Sequence, residues 1–269
     1  MILRETNDAK KNSDYLNERG LFSKPFPITS IKYEDFRNSD IVYHEYNYAV
    51  ITSPKATKVL NKIVSNNKTI FSKSSKIFTI GLETKNKLNK LNFSNVFNAN
   101  GNSQSLIELI LKSTCQSDFG LWIAAKDRSI DLKKILKKSN RRIEILEGYK
   151  TLPILKLCQS IKKDLISYKR LNLIILSSRN VTITKDILNN YNLFKEGNCK
   201  STLFVNSNKV AQKAKTLGWL NIKTIKKNFT KDILDYILEL PKKLRMLIWL
   251  IQKLKEKRMI KKLSLTWNL

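Results

Sequence analysis

Histidine occurs once in this 269-residue chain, at His44, and cysteine only at Cys115, Cys158 and Cys199. A His-based metal site or a Ser-His-Asp triad would have to rest on that single imidazole, which argues against both. Three cysteines, isolated and odd in number, fit neither a disulfide framework nor a zinc cluster. Glycine is scarce too, with seven in all. No G-x-G-x-x-G or G-x-x-x-x-G-K-[ST] pattern occurs, so the loops that cradle nucleotide phosphates are missing and NAD or ATP use is not expected. No close pair of carboxylates stands out for acid–base work, and Asp127, between Lys126 and Arg128, reads as a solvated loop residue. Long apolar runs are absent: the longest, Met246 to Ile251, falls far short of a membrane span. The start has no signal-segment character, because Met1-Ile2-Leu3 gives way at once to Arg4, Glu5 and Asp8. A cytoplasmic protein is the expectation.

Acidic residues are the other shortage. Against 51 Lys and Arg stand 22 Asp and Glu, a formal charge of +29. Lys and Asn are abundant everywhere, including inside amphipathic helices, while Arg is scarce. This reads as AT-rich coding bias acting on permissive surface positions. Such a charge favours an acidic substrate by long-range attraction, whereas a nucleic-acid protein would concentrate basic and aromatic residues on one face.

What is present is 42% hydrophobic residues, enough for two modest cores, arranged as short apolar runs alternating with amphipathic segments. That is the βαβα signature of α/β domains with parallel sheets. Strands are expected at Ile2-Leu3, Phe22–Ile28, from Tyr48, Lys76–Gly81, Phe93–Phe97, Phe119–Ala124 and Ile143–Leu152. Helices are expected over Asp8–Glu18, from Lys55, over Thr84–Leu91, over Ser103–Lys112 with Ser103 as N-cap, and over Asp131–Lys138. The second half repeats the first. Tyr48-Ala-Val-Ile-Thr-Ser is echoed by Leu173-Ile-Ile-Leu-Ser-Ser, with Ser53 matching Ser178, and the Ser103 helix is echoed from Thr230. The expectation is two duplicated flavodoxin-like or Rossmann-like lobes. Residues 242–269 carry nine Lys or Arg and one Glu, a basic amphipathic tail suited to the protein body, an anionic membrane surface or a partner.

Ligands of open α/β sheets bind beyond the carboxyl ends of the strands. Those ends carry Arg4, Thr52, Ser53, Thr84, Lys126, Arg128, Ser177, Ser178, Ser207 and Asn208. Hydroxyls at strand–helix junctions suit carboxylates or phosphates, although each taken alone also reads as a simple helix cap.

Taken in order, Ile2-Leu3-Arg4, Ile51-Thr-Ser-Pro-Lys-Ala, Ile80-Gly-Leu-Glu-Thr, Glu147-Gly-Tyr-Lys-Thr, Leu176-Ser-Ser and the Gly218 segment resemble the uroporphyrinogen-III synthase family over roughly residues 1–240. The resemblance implies two lobes joined by a two-stranded linker: 1–30 with 155–240, and 34–148, the tail 241–269 lying outside both. It implies a cofactor-free, metal-free, monomeric hydro-lyase. Such an enzyme cyclises the linear tetrapyrrole hydroxymethylbilane to uroporphyrinogen III, losing water and inverting the last ring. Tyr149 is implied as the proton donor, facing a cleft near the linker. Arg4, Ser53, Thr84 and Ser178 are implied as holding the polycarboxylate; Thr52, Lys126, Arg128 and Ser177 join them from their places at the strand ends, and Ser207 and Asn208 as polar substitutes in the second half. In the second half Val205-Asn-Ser-Asn-Lys-Val-Ala stands where the family usually offers Ile-Gly-x-Thr-Thr-Ala. The alternative is a degenerate relative that acts as a basic membrane- or nucleic-acid-associated binding protein.

Overall fold

The computed structural model describes residues 1–34, 46–66, 70–99, 102–128, 130–227 and 230–240. His44 and the 241–269 tail lie outside them. The chain is α/β and divides into two compact units: Met1–Ser30 with Pro153 onward, and Ile31–Leu152. The N-terminal segment contributes β1 (Ile2–Glu5), α1 (Thr6–Asn17) and β2 (Pro25–Tyr33). Next come β3 (Tyr48–Ile51), α2 (Ala56–Asn66), β4 (Lys76–Ile80), α3 (Leu82–Lys90), β5 (Val96–Ala99) and α4 (Ser103–Ser113). The middle of the chain closes with β6 (Phe119–Ala125), α5 (Leu132–Lys137) and β7 (Arg142–Pro153). The remainder supplies α6 (Gln159–Ser167), β8 (Leu171–Ile174), α7 (Ser178–Asn190), α8 (Phe194–Lys200), β9 (Ser201–Val205), α9 (Asn208–Thr216) and β10 (Ile222–Thr224). A further helix covers 230–240.

Within the first unit the strand order is β10-β9-β8-β1-β2; within the second it is β5-β4-β3-β6-β7. Each order places the first strand of a βαβ series inside the sheet, and the pairings β3–β4, β3–β6, β4–β5, β6–β7, β1–β8, β8–β9 and β9–β10 are all parallel. The long strands β2 and β7 carry the chain from one unit to the other. They run antiparallel: Ile154 N–H donates to Ile28 O at 2.9 Å, and Glu34 N–H to Gly148 O at 3.1 Å.

Buried parallel strands must be apolar on both faces, and side chains alternate with period two. The second unit follows this rule residue by residue. Ala49, Ile51, Leu121 and Ile123 enter one core, while Tyr48, Val50, Trp122 and Ala124 enter the other. In the first unit Leu3, Leu173, Leu203 and Val205 pack on one side, and Ile2, Ile174 and Phe204 on the opposite side. Among the described residues no helix is long and apolar enough to cross a membrane.

Several element boundaries differ from the sequence expectation for local reasons. Asn102, not Ser103, caps α4: its side chain accepts from the Gln104 and Ser105 N–H groups in a capping box. Of the two hydroxyls that open α7, Ser177 is the cap, accepting from Asn180 N–H at 3.1 Å. The strand expected at Phe22–Ile28 begins at Pro25 and runs on to Tyr33, pairing Pro25 with Ile2 and Pro27 with Arg4. Helices α6 and α8 had no counterpart in the sequence expectation.

Gly120 on β6 faces the ring of Tyr48, which is fully buried. A Cβ there would lie 2.4 Å from Tyr48 Cε2 and 2.7 Å from its hydroxyl. Gly120→Ala is expected to destabilise the chain by about 1–3 kcal/mol through overpacking. Urea unfolding should show a lower midpoint at unchanged slope, and an unaltered midpoint would contradict this packing.

Candidate active site

The polar residues of the second unit gather at the carboxyl ends of β3, β6 and β7. Thr52 follows β3 directly, and its Oγ1 accepts a hydrogen bond from Trp122 Nε1 at 3.3 Å. Ser53 Oγ accepts from Lys55 N–H at 3.3 Å, closing the turn into α2. Strands β6 and β7 pair in step as far as Ala124 and Glu147, then shift so that Ala125 stands opposite Tyr149. The extra residue is Gly148, where a Cβ would come within 2.8 Å of Val59 Cγ1 on α2. Bulges of this kind re-aim the side chain that follows. That explains why Gly-Tyr stands in the Glu147-Gly-Tyr-Lys-Thr motif.

Tyr149 is 5% exposed. Its ring lies 6.2 Å from that of Tyr33, inclined at 47°. Burial pushes the phenol above its ordinary pKa of 10.0. A hydrogen bond with Ser53 pulls it back down, Tyr33 adds to the rise, and the charge of Lys55 opposes it. Next to Tyr149 is a cavity of about 320 Å³ whose lining includes Thr52, Trp122, Asp127, Arg128 and the apolar Ile80 and Leu106. The Arg128 guanidinium is held by Glu147 Oε1 at 2.6 Å and by Ala125 O at 3.3 Å, and lies 5.6 Å from the Trp122 ring centroid.

Three residues expected from the sequence thus meet at this cavity: Thr52, Arg128 and Tyr149, with Ser53 joined to them through Tyr149. Two others do not line it. Thr84 is buried at 2% exposure on α3, and Lys126 is exposed, donating its backbone N–H to Tyr149 O at 2.9 Å. Asp127 is exposed as expected, yet it is more than a solvated loop residue, because its Oδ1 accepts from Thr151 N–H at 3.0 Å. Sequence reading passed over Trp122 and Glu147 as site residues. The signal for Trp122 was its place at the end of a buried strand; Glu147 lies 19 residues from Arg128, and only strand pairing joins them.

In the first unit the candidates occupy the same ends of β1, β8 and β9. Arg4 donates to Thr230 Oγ1 at 3.2 Å and to Asp8 Oδ2 at 3.4 Å. Ser177 and Ser207 cap α7 and α9, Ser207 accepting from Val210 N–H at 3.4 Å. Ser178 and Asn208 are the first residues of those two helices. Their backbone N–H groups and helix dipoles favour anions at both places. A larger cavity of about 690 Å³ in this unit is lined by Arg19 and Lys227 together with Asp232, Asp235 and Glu239, a mixed-charge wall that holds none of the residues expected from the sequence. Among the described residues no group of three or more His, Cys, Asp or Glu is placed to hold a metal ion.

The family model described as "Uroporphyrinogen-III synthase HemD" matches residues 11–234. This chain belongs to the uroporphyrinogen-III synthase family. Similar folds are found in the crystal structure of uroporphyrinogen-III synthetase from Helicobacter pylori and in that of a mutant uroporphyrinogen III synthase from Thermus thermophilus. The first is 16% identical with a TM-score of 0.58, covering 81% of this chain and 94% of that one. The second is 12% identical with a TM-score of 0.56, covering 90% and 99%. Among curated proteins, no significant sequence match was found. Membership of the uroporphyrinogen-III synthase family makes the chain a cyclising lyase of haem biosynthesis.

Tyr149's raised pKa has a measurable sign. A phenol held above its unfolded value contributes stability that is complete below about pH 10 and is lost as pH climbs through the folded value. Ser53→Ala removes a bond that favours the phenolate, so the Tyr149 ionisation should move further up. Tyrosinate absorbance, taken as the difference between each protein and its Tyr149→Phe counterpart, reads that shift; a downward move would refute the Ser53 contact.

Proposed function

We propose that this chain closes hydroxymethylbilane to uroporphyrinogen III, with Tyr149 as the proton donor. The observation that carries the assignment of that role is a phenol kept neutral by burial, bonded to Ser53, at the wall of a cavity that also holds Arg128. In the first step the substrate's terminal C–O bond breaks, the Tyr149 proton goes to the leaving hydroxyl, and water departs. The pyrrole nitrogen keeps its proton, so an electrophilic azafulvenium cation remains, balanced by the Tyr149 phenolate, and the proton shed when the closed ring regains aromaticity restores the phenol. Tyrosine is an intrinsically weak acid. Ser53 and the Lys55 charge both lower the cost of the phenolate left behind, which offsets part of the burial. Closure through a spiro intermediate then requires the chain to be held so that the last ring inverts before the unassisted cyclisation occurs, and this is a matter of positioning.

The carboxylate arms are assigned to Arg4, Thr52, Ser53, Lys126, Arg128, Ser177, Ser178, Ser207 and Asn208, whereas Thr84, buried on α3, drops out. Support comes from the bulged strand end at Ala125 and Tyr149, and from the helix N-termini capped by Ser177 and Ser207. The proposal includes a monomeric, cytoplasmic enzyme whose basic tail makes at most weak contact with a membrane surface. It also includes an internal duplication. The two units share one strand order, and β1–β2 shifts register between Arg4 and Glu5 as β6–β7 does between Ala124 and Ala125. The alternative of a degenerate, basic binding protein is not favoured by the family match.

The test is incubation with hydroxymethylbilane generated in situ, followed by oxidation and separation of the porphyrin isomers. The intact protein should give mainly isomer III. Tyr149→Phe should lower kcat by about a hundredfold or more, its residual product still being isomer III. Isomer I alone from a folded protein would overturn the assignment.

A further inference from the structure

Arg128 has donors to spare. A guanidinium offers five N–H groups in a fixed fork. Among the described residues, Glu147 and Ala125 engage Nη1 alone. Nε and Nη2 form the edge that takes a carboxylate side-on through two parallel bonds, and they are left over. The Arg128 side chain is 25% exposed, and Glu147 is more exposed at 41%. An ion pair with so exposed a carboxylate is weak, so an incoming anion can share the guanidinium or take it over. The cavity beside it, about 320 Å³, stands at the small end of the ligand-pocket range of roughly 300–1,000 Å³. That volume suits one substituted ring, not four. The lining joins apolar Ile80, Leu106 and Leu132 to the indole of Trp122, whose Nε1 is already spent on Thr52; its one carboxylate, Asp127, accepts from Thr151 N–H through Oδ1. The indole therefore offers a ring surface but no free donor.

We propose that this cavity is a single-ring subsite. One pyrrole of the substrate lies against Ile80, Leu106 and Trp122, and one of its carboxylate arms pairs with Nε and Nη2 of Arg128. Glu147 is the internal competing anion that sets how tightly this arm is held; it positions Arg128 and does not touch the reacting atoms. The identity of the ring rests on the synthase reading, whereas the preference for a carboxylate rests on Arg128 alone.

The probe is 4-(carboxymethyl)pyrrole-3-propionic acid, a monopyrrole with one acetate and one propionate arm and no amine, titrated calorimetrically into the full chain at low ionic strength. Wild-type protein should bind it, and 2,4-dimethylpyrrole, which has no carboxylate, should not compete. Arg128→Ala should weaken binding about tenfold or more, the loss expected for a charge-assisted pair. Glu147→Gln should tighten it, a gain that misfolding cannot produce, and Lys133→Ala on the exposed face of α5 should leave it unchanged. Absence of binding, equal binding by a folded Arg128→Ala, or weaker binding by Glu147→Gln would each overturn the subsite. The isomer assay separates the two claims. Isomer III together with Arg128-independent binding removes the subsite alone, and Arg128-dependent binding together with isomer I removes the synthase reading alone.

Discussion

The constraint on which the rest of the structure depends is two-sided burial of parallel strands. Tyr48 and Val50 must find a core on one face of the second sheet while Ala49 and Ile51 find another on the opposite face. The first sheet makes the same demand through Ile2 and Leu3. Each fully buried aliphatic or aromatic side chain contributes about 1.5–3 kcal/mol, against about 1 kcal/mol for a helix cap. The cores therefore decide the architecture and the caps adjust its edges. With both faces committed, the strand ends are where polar chemistry can stand, and Thr52, Arg128 and Tyr149 are found there.

The same constraint explains why the site depends on a defect. In an unbroken β6–β7 ladder, alternation would fix the side of the sheet on which residue 149 falls. The register shift at Ala125 adds one residue, Gly148, which Val59 presses too closely to admit a Cβ. Tyr149 is thereby packed among apolar neighbours that hold its proton, while Ser53 and Lys55 draw on it in the opposite sense. A fully exposed phenol would gain no such retention, and a fully apolar environment would make the phenolate still costlier. The position is a compromise between keeping a proton and releasing it.

How far the sequence showed this depends on which physical signal each element carried. Tyr48–Ile51, Lys76–Ile80 and Phe119–Ala125 were legible because a buried strand is a short apolar run bounded by polar residues. Helix α8 was not legible, since Phe194-Lys-Glu-Gly-Asn-Cys-Lys has no periodic apolar face and its N-cap residue, Leu193, offers no side-chain cap bond. The α4 cap was off by one residue at Ser103, because Asn102 beside it competes for the same N–H groups and only the backbone angles rank two adjacent polar residues. At the candidate site, residue types at strand ends brought out Thr52, Arg128 and Tyr149. Thr84 looked equivalent in sequence, yet helical geometry turns it inward. Glu147 stayed hidden because its meaning comes from a strand pairing and not from its neighbours in sequence.

Charge illustrates the same distinction between what is abundant and what is placed. The formal charge of +29 supplies a general attraction for any polyanion, but exposed lysines act across a Debye length of only about 8 Å at physiological salt. They cannot tell one carboxylate arm from another. Discrimination requires a cation that is partly withdrawn from solvent, fixed in orientation and already balanced against a competitor. Arg128 meets these conditions: Glu147 and Ala125 fix its Nη1, and the Trp122 ring lies alongside. Removing Glu147's charge should then strengthen anion binding, although most substitutions in a site weaken it. In a chain crowded with positive charge, Glu147 on Arg128 and Asp127 on the cavity wall are the negative charges that an incoming carboxylate has to meet.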